Sequence, residues 1–397
     1  MKKNKRTVTA LILAVGLILI GNSVRAADEE GPKIYYKDGV HIDSADGNNT
    51  LQIQGRGGVR FEFIGKNHAL STDSFSLSRA EIRLEGTVFS RKLKYGFEMN
   101  LATRSKATTS AVCTNAACTT TANAVTAEST SGLAVLNDYY FDWIATDSIG
   151  IKAGQFKAPF LMQQLTSSTK QQFVDRGLGT SFFDLGRDMG ATIHGDVLDY
   201  HLAYNLFVMN GQGANELNRN PKALLVGARF EAPIVGKYVY SESDVDYSET
   251  PSAGVGVAYA FNERGTTNLT QSSTLPAFSK VSHATIDMGL KYHGFSFQGA
   301  GAVSHLHDAP TLNNFGYNAQ VGYFIVPKKV EIAGRESGAI ISGATLDQFE
   351  HAVVANYFVK GHSVKWQNEY AILRNTQGAA AGTVTDHRFR SQVSFIF

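Results

Sequence analysis

Proline and cysteine are scarce in this chain, with 8 and 2 among 397 residues. Beyond the first thirty residues no apolar run approaches the roughly 20 that a membrane-spanning helix requires, which excludes such a helix but leaves strands free to cross. Helix-forming blocks are also few. A formal charge of +2 argues for no strongly charged partner, and no nucleic-acid partner is expected. Nucleotide-binding loops, zinc-protease helices and nucleophile elbows are all missing, so no catalytic residue, cofactor or metal is expected. A possible metal pair, His305 and His307, reads more simply as a solvated strand end. What the chain has instead is 38 glycines and 40 phenylalanines and tyrosines: a sheet-rich profile, with aromatics suited to a membrane boundary and glycines to a bending wall.

The N-terminus carries Lys2, Lys3, Lys5 and Arg6, then an apolar run over 8–20 and a small-residue site at Val24-Arg25-Ala26. This is the layout of a secretory signal. The expected division is a signal peptide over 1–26, an N-terminal periplasmic lead-in over 27–50 and one β-domain over 51–397. In an exported chain Cys113 and Cys118, close together in a Ser/Thr/Ala-rich segment, suit a small loop disulfide; two free thiols are the alternative.

The final stretch, HRFRSQVSFIF over 387–397, organises the rest. Phe389, Val393, Phe395 and Phe397 fall on one side of a strand and Arg388, Arg390, Gln392 and Ser394 on the other. A chain that ends on Phe in mid-strand suits a closed sheet. The same alternation recurs from Leu51 onward, with one row apolar and the other charged, and gives a count of sixteen strands. Short and long connections alternate. The fold class expected is therefore all-β, a transmembrane antiparallel β-barrel, apolar towards lipid and polar towards a watery interior. One connection, 235–251, falls on the short-turn side yet is long and acidic, and the pattern does not explain it.

If the polar rows face inward, the lumen is highly charged but nearly balanced. Closure sets the last strand beside the first, so Arg388 and Arg390 join Arg56, Arg60, Arg79 and Arg83 in an arginine stripe. Guanidinium forks suit oxyanions and stay charged at any relevant pH; the competing reading pairs them with Glu62, Glu81 and Glu85 as a rigid wall. The segment 161–187, with Gln163, Gln164, Lys170, Asp175 and Arg176, is long enough to fold inward as a constriction, or it is a surface loop.

Four motifs in this region, QFKAPF (155–160), LTSS (165–168), FVDR (173–176) and GRDMGATIHG (186–195), resemble successive motifs of the phosphate- and polyphosphate-selective porins of Gram-negative outer membranes. KDGVHIDSADG (37–47), SRAEIRLEG (78–86) and Asn210-Gly211 are similar to that family too. The resemblance implies a sixteen-stranded trimeric porin whose third outer loop enters the pore. It also implies anion-binding roles for Arg79, Arg83, Lys157, Arg176 and Arg187. The expected surroundings are the lipid bilayer, lipopolysaccharide, the outer-membrane assembly machinery acting on Phe397, and small anions or other solutes. A general, weakly selective porin, a structural barrel, a barrel enzyme and a secreted sandwich are the competing readings.

Overall fold

The computed structural model describes residues 31–397 apart from 67–68, 103–105, 114–120, 129–134, 218–223, 264–279, 308–311, 343–346 and 376–384. The signal-peptide reading and Cys118 of the disulfide lie outside the described residues. Two short strands, β1 (Lys33–Tyr36) and β2 (Val40–Asp43), form a hairpin within the lead-in. There follow β3 (Thr50–Lys66), β4 (Ala69–Val88) and β5 (Ser90–Asn100), then a separate hairpin of β6 (Lys106–Cys113) and β7 (Thr121–Glu128), then β8 (Val135–Thr146) and β9 (Ile149–Lys157). Inside the next connection lie α1 (Met162–Leu165), one 3-10 turn (Ser168–Lys170) and α2 (Leu178–Phe183).

The remaining strands are β10 (Arg187–Val197), β11 (Leu202–Met209), β12 (Leu225–Val235), β13 (Ser252–Glu263), β14 (Lys280–Tyr292) and β15 (Phe295–Leu306). They continue with β16 (Leu312–Val326), β17 (Val330–Ile340), β18 (Gln348–Lys360), β19 (Val364–Arg374) and β20 (Thr385–Ile396).

Sixteen of these, β3–β5 and β8–β20, pair antiparallel with their neighbours, and β20 pairs with β3 to close the barrel. Closure leaves these sixteen strands without a free edge strand, as a wall facing lipid must provide. Phe397 and Gly55 complete the seam: Phe397 O accepts from Gly55 N at 2.6 Å and Gly55 O from Phe397 N at 2.9 Å. The Phe395 ring lies over Gly57, where an added Cβ would stand 2.4 Å from it. The β2 strand pairs with the start of β3, Val40 opposite Ile53, just below the point where β20 ends.

The alternation read from the sequence holds on the closing strand. Phe389, Val393 and Phe395 are exposed on the outer face while Arg390, Gln392 and Ser394 are buried within. Short connections are made with left-handed residues that twist the strands correctly: His293-Gly294 (φ 47 and 79) joins β14 to β15. Leu198, Asp199 and Tyr200 are all left-handed, so they make the turn and β11 starts only at Leu202.

The interior is not an open tube. Residues 158–186 form a loop whose neck is tied by Ala158 N donating to Gly186 O at 2.9 Å, and the loop lies inside the barrel. Its Phe160, Leu161 and Phe183 pack onto inner-wall alanines Ala258, Ala260 and Ala302. Phe173, fully buried, packs against Ala333, Ala352 and Ala371, with the Arg335 guanidinium over its ring at 4.2 Å. The segment 236–251 also turns inward, from the short-turn end. It meets the loop where Glu242 N donates to Lys170 O (3.1 Å) and Gln172 N donates to Glu242 Oε2 (2.7 Å). That contact explains the acidic connection the alternation of turns did not.

Candidate functional site

A backbone loop inside a barrel brings unpaired N–H and C=O groups with it, and each must be met. The wall answers by charge. Carboxylates accept the loop's N–H groups: Asp287 from Met162 (2.9 Å), Glu369 from Val174 (3.0 Å) and Glu350 from Leu178 (2.9 Å), with Glu242 taking Gln172. Cations donate to its carbonyls: Arg229 to Phe160 (2.5 Å), Lys365 to Gln171 (2.5 Å), Arg335 to Asp175 (2.8 Å) and Arg79 to Ser168 (3.1 Å). Lys157 Nζ donates to Gln164 O and Thr166 O at 2.7 and 3.3 Å. Arg176, on the loop itself, donates to Gln163 O at 3.0 Å and shares the Gln164 and Thr166 carbonyls with Lys157.

This arrangement sorts the lumen charges that sequence alone left balanced. The acids of β14 and β17–β19 are sealed beneath the loop: Asp287, Glu331, Glu350 and Glu369 are at most 2% exposed. Arg229 is locked to Asp287 (2.7 Å), and Arg335 and Arg388 to Glu350 (2.8 and 2.7 Å). On the opposite side, along β3–β5 and β8–β10, Arg60, Arg83 and Arg187 keep 15, 25 and 21% of their side chains exposed, while Arg56, Glu81 and Glu98 among them are buried.

The predicted bases fall into two groups there. Arg56, Arg83 and Arg187 all reach Glu98, at 3.2, 3.6 and 3.0 Å. Arg83 also pairs with Glu85 (2.6 Å) and Arg187 with Asp138 (2.8 Å). Arg60 and Arg390 clasp Asp175 from two sides at 2.9 and 2.6 Å, and Arg390 also holds Glu369 at 2.5 Å. The salt-bridged reading thus describes five of the stripe's six arginines, Arg79 being the exception, and Arg187 besides, though with Glu98, Glu350 and Glu369 as the chief partners and with Glu81 only at 4.0 Å from Arg56.

Arg79, Lys157 and Arg176 differ: among the described residues none makes an ion pair, and their partners are loop carbonyls. A guanidinium carries five N–H donors and an ammonium three. Arg79 uses one of its amino groups in this way, so three cations crowd one stretch of the passage with donor capacity to spare for an oxyanion.

Asp175 stands beside them with its side chain 42% exposed. Withdrawal from water works against its charge, but Arg390, Arg60 and Arg79 outweigh that and hold the carboxyl well below the usual range.

The residues expected to form the constriction divide in the same way. Gln163 is turned to the wall, its amide donating to Gln320 at 3.0 Å and its oxygen accepting from Gly177 N, and Gln164 is buried as well. Their carbonyls, not their amide side chains, reach the bases. Lys170 faces the inserted segment, lining a cavity of about 260 Å³ with Lys291, Asp244 and His362. Sequence reasoning passed over Glu242, Glu331, Glu350 and Arg335. Their signal was the inner row of small apolar residues, Ala333, Ala352 and Ala371, which marks a wall pressed by protein rather than water.

Comparisons with known proteins agree with this geometry. The family model described as "Phosphate-selective porin O and P" matches residues 52–362. Among solved structures, an anion-selective porin from Comamonas acidovorans is similar with a TM-score of 0.55 at 11% identity, covering 88% of this chain and 100% of that one. The outer membrane channel DcaP of Acinetobacter baumannii gives 0.55 at 10% identity, over 88% of this chain and 98% of that one. OmpT of Vibrio cholerae in its trimer form gives 0.54 at 10%, over 88% and 99%. No curated protein matches the sequence at a significant level. At these identities the structural likeness shows the fold alone; the family match, over more than half the chain, carries the assignment. The chain belongs to the phosphate-selective porin O and P family and is an outer-membrane β-barrel channel.

Proposed function

We propose that this porin passes small anions, phosphate among them, by passive diffusion along the β3–β5 and β8–β10 side of the lumen. The observation that carries the reading is the set of three bases, Arg79, Lys157 and Arg176, without carboxylate partners at the loop's free flank. In a narrowed passage their fields count. A unit-charge pair at 4 Å is worth about 1 kcal/mol in bulk water and about 4 at an effective dielectric of 20. An anion would exchange part of its water for N–H donors here and leave along the arginines that share Glu98. By analogy with the trimeric relative, we read the working unit as a homotrimer in lipid and lipopolysaccharide, inserted by assembly machinery that reads Phe397.

The test is the zero-current potential of purified protein in a planar bilayer under a potassium chloride gradient, repeated with added phosphate. Anion selectivity with phosphate block of the chloride current is the expected result. Weak selectivity without block would favour a general porin, a reading that the paired Arg56, Arg83 and Arg187 would then support.

A further inference from the structure

The lead-in hairpin repeats the pattern of the barrel wall. In β1 and β2, Ile34, Tyr36, Val40 and Ile42 fall on one face and Lys33, Tyr35, His41 and Asp43 on the other. Register fixes which face is which, because residues directly opposite one another in an antiparallel pair share a face. Val40 stands opposite Ile53 and Ile42 opposite Leu51, in the outward row of β3. Tyr36 and Ile34 stand opposite Val40 and Ile42 in turn. The apolar row of the hairpin therefore continues the lipid-facing row of the wall, one step past the Phe397 ring that lies over Gly55. Its polar face turns the other way, with the Tyr35 and His41 rings stacked at 4.7 Å.

The hairpin is pinned to the rim of the barrel. Gln54 Nε2 donates to Asp38 O at 2.8 Å, and Ser363 Oγ, in the β18–β19 turn, donates to Asp38 Oδ1 at 2.7 Å. The connection after β2 is held likewise, with Phe89 N donating to Asn49 Oδ1 at 2.9 Å. Beside these ties the rim exposes apolar side chains of its own, Phe89 on one flank and Val359 on the other. The hairpin thus sits where the periplasmic end of the wall is still apolar. Ile34 is 69% exposed there, Tyr36 59% and Val40 40%.

We propose that this face is a membrane contact: Ile34, Tyr36 and Val40 lie at the headgroup boundary of the inner leaflet, against phospholipid, and the lead-in is an interfacial anchor. Two features set the depth. Among the described residues β1 has register with β2 alone, so the far edge of its backbone needs water or headgroup oxygens, which the acyl core does not offer. The Tyr36 ring has the Lys360 ammonium 6.0 Å from its centre, an aromatic at headgroup level with a cation beside it to meet a lipid phosphate. Continuity selects lipid over a protein partner. A patch made for a soluble protein would end at the hairpin, whereas this one runs unbroken into a wall that lipid already covers.

The test uses full-length protein reconstituted in phospholipid vesicles, with Cys113 and Cys118 replaced by serine. A single cysteine carrying an NBD fluorophore is placed by Tyr36→Cys, or by Ala45→Cys in the exposed polar turn after β2. A nitroxide on the upper acyl chain is expected to quench the probe at 36, and iodide to quench it about fivefold less than the probe at 45. Equal iodide quenching at both positions would put the hairpin in water and overturn the proposal. Shielding from iodide without quenching by any lipid nitroxide would mean a protein cover, a second copy or another partner, and would overturn it as well. Stronger quenching from the end of the acyl chain would place β1 deeper than its free edge allows and would do the same. The unaltered protein gives a second measure, in vesicles whose phospholipid carries a diazirine next to the glycerol. After irradiation and trypsin digestion, lipid adducts are expected on the peptide 34–37, released by cleavage after Lys33 and Lys37. Labelled wall peptides with none at 34–37 would count against the proposal.

Discussion

Gln172 N lies 2.7 Å from Glu242 Oε2, and through this bond a loop that enters the barrel from one end is fastened to a segment that enters from the other. Glu242 also accepts from the Gln320 amide at 3.0 Å. Losing a buried hydrogen bond to a charged group costs about 1.5–3 kcal/mol, enough to loosen a loop without unfolding a barrel. Glu242→Ala is expected to raise single-channel conductance and current noise, with Glu242→Gln intermediate. Unchanged conductance and noise in both would show that the loop is held without this contact.

Arg79 and Arg176 have loop carbonyls as partners, whereas Arg388 is engaged by Glu350 and Glu369 at 2.7 and 3.1 Å. The double change Arg79→Gln, Arg176→Gln should weaken phosphate block of chloride current at least tenfold, about 1.4 kcal/mol. Arg388→Gln should leave it within about twofold. Equal losses in both would mean that net lumen charge matters and position does not. Arg79→Gln with Arg83→Gln should move the reversal potential toward cations.

Asp175 sits between Arg60 and Arg390, and its depressed pKa sets the sign of a pH effect. Its contribution to stability is present above the unfolded value of about 3.9 and is lost as pH falls toward the lower folded value. The carboxylate stays charged at pH 3. Asp175→Asn is therefore expected to shift the reversal potential toward anions by similar amounts at pH 7 and pH 3. A shift largely lost at pH 3 would place the group back in the ordinary range.

His362, in the turn between β18 and β19, has Nε2 3.0 Å from Ser241 Oγ of the inserted segment. Withdrawal from water, and then Lys365, Lys170 and Lys291 nearby, keep its pKa well below that of a free imidazole. The unfolded chain takes up this proton near pH ~6.5, so the folded state binds fewer protons below that. Stability is full above this value and declines as pH falls through it. Thermal unfolding at pH 7 and pH 5 should differ less in His362→Gln than in the wild type. An unchanged difference would assign the acid sensitivity to other groups.

Much of the barrel was legible because a two-residue period survives any tertiary context that buries one face. The order of Phe389, Arg390 and Gln392 alone decides inside from outside. The inner loop was legible only as an excess of length, since most of the bonds that seat it run from backbone groups to residues far away in the chain, such as Gln172 to Glu242 and Val174 to Glu369. No local pattern encodes a pairing of that separation. The charge count misled for a related reason. Asp287 and Glu369 read as lumen acids equal to Glu85, but the loop covers the first two and leaves Glu85 partly exposed. His351 and Glu336, both against the expected lipid face, were invisible as an anomaly until register placed them opposite one another.

The hold on the loop is made largely through its peptide groups, at Met162, Ser168, Gln171, Gln172, Val174 and Leu178. Anchorage at these positions is thus carried by backbone atoms that every residue type supplies. Side chains such as Ser167 and Ser168 can be exchanged for basic, acidic or bulky ones while the carbonyls and amides that fix the loop stay in place. The lumen then becomes a surface whose filter can be rewritten one side chain at a time, by mutation or by design, without re-folding the channel that holds it.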